Sequence, residues 1–213
     1  MNRGDARDQL RRRLQEYSPD LWLNTDLNRA LNFAAMEMQK EVMKVDPEAF
    51  RFVDRTDIVN ATTFEKQFYE FPAGCWYESA VQILGDDGKY GKPLVRIPYL
   101  EVLDRTDGEP RYARFDRSYF LLSPPPDADR ANGIQLTWTP TLTMANNIDE
   151  LPFHTGLHLG VVMFAEMIAL GDSGEARDDT LKDLARIINS IPQYYLASGS
   201  TPSALIVDLD KGY

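Results

Sequence analysis

The chain has 213 residues, of which 43% are hydrophobic and 11% aromatic, and this composition excludes a chain too poor in apolar residues to fold. The formal net charge of -10 argues against a protein that binds nucleic acid by neutralising phosphates. Residues 157–170 form the longest apolar stretch, but Glu166 interrupts it and a bilayer needs roughly 20 apolar residues, so a core helix is predicted and no membrane span.

The N-terminal charges are followed by no apolar run of signal-peptide length, so no export signal is expected. Cys75 is the only cysteine in the sequence, and no disulfide can therefore form within the chain. Both features agree with folding in a reducing compartment.

Helical periodicity is found first at the N-terminal end of the chain. Residues 5–17 are predicted to form a short helix that stops before Pro19. Thr25 is the predicted N-cap of a second helix, whose apolar residues repeat with a period near 3.6 through Val45. One more turn is predicted after Asp46, because a capping Asp precedes a proline there.

The pattern then changes to short aromatic and β-branched runs separated by turn residues, as in strands. The first two runs flank Pro72-Ala73-Gly74, which predicts a hairpin. The predicted strands are residues 63–71, 76–84, 94–97, 112–115, 119–122 and 134–139.

Helical periodicity returns after Leu151. Residues 152–170 are apolar on most sides and are predicted to form the centre of a helical bundle. Residues 175–189 form an amphipathic partner helix, which Pro192 is predicted to close.

These elements predict an α+β fold in which the N- and C-terminal helices form one bundle and the strands are inserted between them. The predicted boundaries are residues 1–51 and 146–193 for the helical bundle, 52–145 for the inserted β-rich subdomain, and 194–213 for an extended C-terminal tail.

Two sequence features resemble catalytic or metal-binding motifs. Gly171-Asp172-Ser173-Gly174 matches the surroundings of a serine-protease nucleophile, but a helix C-cap and turn between helices is the better interpretation. His154 and His158 have the spacing of two zinc ligands on one helix face, although Thr155 replaces the glutamate that HExxH proteins use. We therefore predict no catalytic residue, no metal site and no cofactor.

Several aromatic residues could stack against sugars or bases, but strand propensity explains them more simply, and packing is predicted. These residues are Trp76, Tyr77, Tyr112, Phe115, Tyr119 and Trp138.

The order of several short motifs resembles a known family. A capped helix begins near Trp22 and Thr25, and the later motifs are Tyr69-Glu70-Phe71-Pro72, the YFLLSPPP run at 119–126, Gln135-Leu136-Thr137-Trp138, and Ile148-Asp149-Glu150-Leu151-Pro152 before an apolar helix. Over residues 21–189 this order is similar to the head-to-tail adaptor, or connector, proteins of tailed bacteriophages.

The resemblance implies a structural virion protein and no enzyme. It implies a homo-oligomeric ring of about twelve copies under the portal protein, which extends the DNA channel and binds tail or nozzle proteins. Genomic DNA would pass through the lumen without sequence-specific binding. The protein would be assembled in the host cytoplasm, with no membrane as partner.

In similar adaptors a C-terminal extension reaches the portal. By position, this implies a portal or subunit interface in the tail of this chain. The residues are Tyr194, Tyr195, Leu196, Leu205, Ile206, Val207, Leu209 and Tyr213.

Two other classes remain open from the sequence. A β-sandwich binding module, for example for carbohydrate, would be a monomer with exposed aromatic residues. A hydrolase would need His154, His158 or Ser173 to converge in one cleft.

Overall fold

The computed structural model describes residues 1–14, 22–59, 68–85, 90–97, 108–116, 118–170 and 178–196. Within these ranges the protein has an α+β fold with four α-helices and two β-sheets. The chain divides into two compact units. Unit 1 comprises the described residues of Met1–Phe50 and Thr141–Ser203, and unit 2 those of Arg51–Pro140.

Unit 1 contains the helices. They are α1 (Arg3–Arg13), α2 (Asn24–Val45), α3 (His158–Leu170) and α4 (Asp178–Tyr195), with a short 3-10 helix at Thr155–Leu157 before α3. Buried apolar residues of all four helices form one core. Leu10, Leu31, Val161 and Ile191 are each fully buried members of that core. None of the described helices combines the length and apolarity needed to span a membrane.

The N-terminal ends of α1 and α2 are formed differently. Asn2 caps α1, because its Oδ1 accepts a hydrogen bond from Asp5 N at 2.8 Å. The prediction that Thr25 caps α2 is wrong. The Leu23 carbonyl accepts from the amides of Asp26 and Leu27, at 3.0 and 3.1 Å, so the first turn of α2 begins before Thr25.

The C-terminal helix runs further than the sequence predicts. Pro192 lies inside α4, and the prediction that it closes the helix is wrong. Proline removes one backbone hydrogen bond, but Ile191 is fully buried and Tyr194 and Tyr195 pack on the same core beyond it. This burial outweighs the lost bond and keeps Tyr194 and Tyr195 helical. Residues 197–213, the rest of the predicted tail, lie outside the described residues.

Unit 2 contains two four-stranded sheets. The first has the order β1-β8-β3-β4, and the second has the order β2-β7-β6-β5. The strands are β1 (Phe52–Ile58), β2 (Phe68–Glu70), β3 (Cys75–Leu84), β4 (Tyr90–Pro93), β5 (Val95–Ile97), β6 (Tyr112–Phe115), β7 (Tyr119–Ser123) and β8 (Arg130–Pro140). Buried residues of both sheets share one core.

The predicted hairpin between the first two strands is wrong. The turn itself is present, with Gly74 at a φ of +80° and Cys75 N bonded to Pro72 O at 3.0 Å. However, β2 pairs with β7 and β3 pairs with β8, in different sheets. The Tyr69 ring stacks on Phe120 of β7 with centroids 5.2 Å apart, and this packing favours the distant partner over the adjacent one.

Candidate assembly surfaces

The two histidines have separate structural roles. His154 precedes the helix, where its Nδ1 accepts from Gly156 N at 3.2 Å. The expectation that His154 and His158 share one helix face is therefore wrong. In the part of the chain that the structure describes, no three His, Cys, Asp or Glu side chains form a group that could hold a metal ion. Ser173 lies outside the described residues.

The His158 ring is buried at the start of α3. Its Nε2 lies 2.9 Å from the Phe153 carbonyl oxygen and its Nδ1 lies 3.1 Å from the Met1 amino group. These partners fit the neutral ring in which Nε2 donates and Nδ1 accepts. Burial lowers the pKa of His158 below its ordinary value of 6.5, although the bond to Phe153 opposes this shift.

The aromatic residues of unit 2 are used mostly for packing. Trp138 is 7% exposed, and the ring of Phe115 stacks on Phe71 at 6.0 Å. Trp76 and Tyr112 are the most exposed of the described set, but they lie on different sheets. A shared stacking platform is not formed by these residues.

Three residues of the predicted portal or subunit interface are described, and two of them pack within unit 1. The Tyr194 ring stacks on His154 with centroids 4.2 Å apart. Burial raises the pKa of Tyr195. Leu196, at the end of α4, is 63% exposed. The end of α4 is therefore folded within unit 1, and the rest of the predicted interface lies outside the described residues.

A groove in unit 1 was not predicted from the sequence. It has a volume of about 510 Å³ and runs along the N-terminal half of α2. Its lining residues are Arg3, Thr25, Asn28, Arg29, Asn32, Phe33, Met36, Thr143 and Ala145. Each of the α2 residues has another lining residue three or four positions away, which places them along one helix face.

The chain after β8 forms the other side of this groove, and side chains fix its backbone. Leu142 N donates to Gln39 Oε1 at 3.3 Å, and Met144 N donates to Asn32 Oδ1 at 3.0 Å. Arg3 Nη1 donates to the Met144 carbonyl oxygen at 2.5 Å. The first two bonds hold this segment, which has no secondary structure, against α2, and the third joins it to α1.

The groove is basic and apolar although the whole chain is acidic. Among the residues that the structure describes, its lining includes two arginines and no Asp or Glu. The Arg29 guanidinium lies 5.6 Å from the ring centroid of Phe33, a side chain that is 45% exposed. Arg29 and Phe33 are four residues apart on α2, and that spacing is the only sequence signal that predicts their contact.

Comparison with known families gives the class of the protein. Residues 1–205 match a family model described as SU10 adaptor protein. The class is that of phage head-to-tail adaptors, which are structural virion proteins. The chain belongs to the SU10 adaptor protein family. A comparison with curated proteins finds no match.

Proposed function

We propose that this protein forms a ring beneath the phage portal, extends the DNA channel toward the tail and docks tail components on its far side. The single observation that carries the proposal is the family match over residues 1–205. A head-to-tail interface between copies, repeated around an axis, closes into a ring. A ring of about twelve copies would share the cyclic symmetry of a portal.

The charge of the chain supports passage of DNA without binding. Each copy has a formal net charge of -10. A ring whose acidic residues face the lumen would repel a duplex and let it slide. In this role the protein acts as a scaffold and performs no catalysis.

The tail of the chain is the proposed portal or subunit interface. Tyr194 and Tyr195 lie in α4, and Leu196 after them is exposed. Leu205, Ile206, Val207, Leu209 and Tyr213 supply the apolar side chains beyond it. Deleting the residues after Ala197 should leave a folded protein that no longer joins the portal. Normal assembly of the truncated protein would remove the tail from the interface.

Electron microscopy of the source virion tests the proposed location. The reconstructed head-to-tail junction should contain density for both units of this chain, repeated in a ring directly below the portal. Density for the chain at another site of the virion, or its absence from purified particles, would refute the proposal.

A further inference from the structure

The groove along α2 contains buried polar atoms without partners. Arg3 is 9% exposed, and its Nε has no hydrogen-bond partner among the described residues. Asn28 Oδ1, on the neighbouring lining residue, is also buried and unbonded within those residues. Burying such atoms without a hydrogen-bond partner is unfavourable. A ligand that enters the groove could pair with these atoms only if the surrounding side chains move, because each atom is shielded from solvent.

The rest of the groove specifies the chemistry of that ligand. Arg29 offers a cation near the open side, and Phe33 and Met36 offer apolar surface. A segment that fits must therefore carry carboxylates and apolar side chains together. A backbone amide can supply the donor that Asn28 Oδ1 lacks.

We infer that this groove binds residues 205–210 of a neighbouring copy of the chain. The sequence there is Leu-Ile-Val-Asp-Leu-Asp. In an extended segment alternate side chains point to opposite sides. Ile206, Asp208 and Asp210 then share one side, which would present one apolar and two acidic side chains to the face of α2 that carries Arg29 and Phe33.

The choice of a neighbouring copy rests on the proposed ring. Residues 197–204 connect the end of α4 to the docking segment and span at most about 28 Å when extended. In a ring, one tail entering the next groove repeats around the axis and closes every interface. The arrangement would join the subunits by a contact that buries charge pairs as well as apolar groups.

Two full-length variants separate docking between copies from docking within one copy. Arg29→Glu reverses the charge at one position of the groove and leaves the tail unchanged. The double variant Asp208→Lys, Asp210→Lys reverses the charge of the tail and leaves the groove unchanged. Each variant alone should self-associate at least about tenfold more weakly than the unmodified chain in sedimentation velocity. An equimolar mixture should form heterodimers, because one intact tail meets one intact groove. A mixture that stays monomeric would overturn docking between copies.

A labelled peptide of residues 204–213 tests the groove without any ring. It should bind the full-length Asp208→Lys, Asp210→Lys chain saturably, with one site per chain, in fluorescence anisotropy. Arg29→Glu or Phe33→Ala added to that chain should weaken binding at least about tenfold. Lys44→Glu is the matched control and should have no effect, since Lys44 lies outside the groove and is 67% exposed.

Absence of peptide binding, or equal binding to the Arg29→Glu chain, would refute the groove as the docking site. The proposed function would survive that result if the same protein still joined the portal. Conversely, peptide binding without portal binding would support the groove and count against the adaptor role.

Discussion

Arg13 Nε donates to Glu166 Oε2 at 2.5 Å, and this ion pair joins α1 to α3 inside unit 1. The two side chains differ in exposure, with 30% of Arg13 and 5% of Glu166 accessible to solvent. Arg13 Nη2 also donates to Thr180 Oγ1 at 3.2 Å, so the same guanidinium contacts α4. The pair therefore links three helices around one buried carboxylate.

Replacing Arg13 should lower the stability more than replacing Glu166. Arg13→Met leaves a buried carboxylate without its cation and should lower the free energy of unfolding by about 3 kcal/mol. Glu166→Met leaves an arginine that already reaches solvent, so its cost should be about 1 kcal/mol or less. Urea denaturation measures both. The double variant Arg13→Met, Glu166→Met should be about as stable as Glu166→Met alone. Equal losses of unfolding free energy in the two single variants would show that the buried carboxylate is not the critical group.

The buried imidazole of His158 predicts a pH dependence of stability. Because its pKa is lowered on folding, the unfolded chain binds the proton more readily. The contribution of the neutral His158 ring to the free energy of unfolding should therefore be fully present above pH 6.5. It should be lost as the pH drops below that value. His158→Gln should show a smaller loss between pH 7.5 and pH 5 in denaturation midpoints. Parallel pH profiles for the two proteins would contradict a buried neutral histidine.

The hydrogen bond from Met144 N to Asn32 Oδ1 should stabilise the segment beside α2. Met144 is 3% exposed, so Asn32→Ala leaves its amide unpaired and should cost about 1–3 kcal/mol. Asn32→Asp keeps an oxygen acceptor at the same position and serves as the control. Hydrogen exchange at the Met144 amide should accelerate in the alanine variant and much less in the aspartate variant. The same exchange rate in both would rule out this role of Asn32.

Gly160 lies where α2 and α4 approach α3 closely. A Cβ at this position would lie 2.6 Å from Met38 Cε and 2.9 Å from Ile187 Cγ2. The methionine end can move, but the β-branched isoleucine resists displacement. Gly160→Ala should therefore lower the melting temperature, with overpacking of about 1–3 kcal/mol exceeding the gain in helix propensity of about 1 kcal/mol. A raised melting temperature would contradict the close approach.

The parts of the fold that local rules control were predictable from the sequence. Strand β6 has the predicted bounds, since residues typical of turns flank its run in the sequence. Strand β1 was missed, because its exposed and half-buried residues do not alternate regularly between polar and apolar. The partner of β2 was also missed, since pairing with β7 joins Tyr69 to Phe120 across a long stretch of chain. No local sequence pattern predicts a contact between residues so far apart in the chain.

The candidate site was predictable only in part for the same reason. The groove brings together Arg3, one face of α2 and residues near Thr143, which are far apart in sequence. Proline usually ends a helix, but α4 continues through Pro192 because Ile191 is buried in the core. The family resemblance succeeded because it rests on the order of motifs over residues 21–189, which does not depend on any one contact.

The most direct test of the adaptor role is the mass of the complex that the full-length chain forms with its purified portal. Native mass spectrometry of the portal, titrated with this protein, should show a saturated complex carrying about twelve added copies. Few partly filled states are expected, because each bound copy offers the next a second contact. A portal that gains no mass at saturating protein concentration would contradict the account.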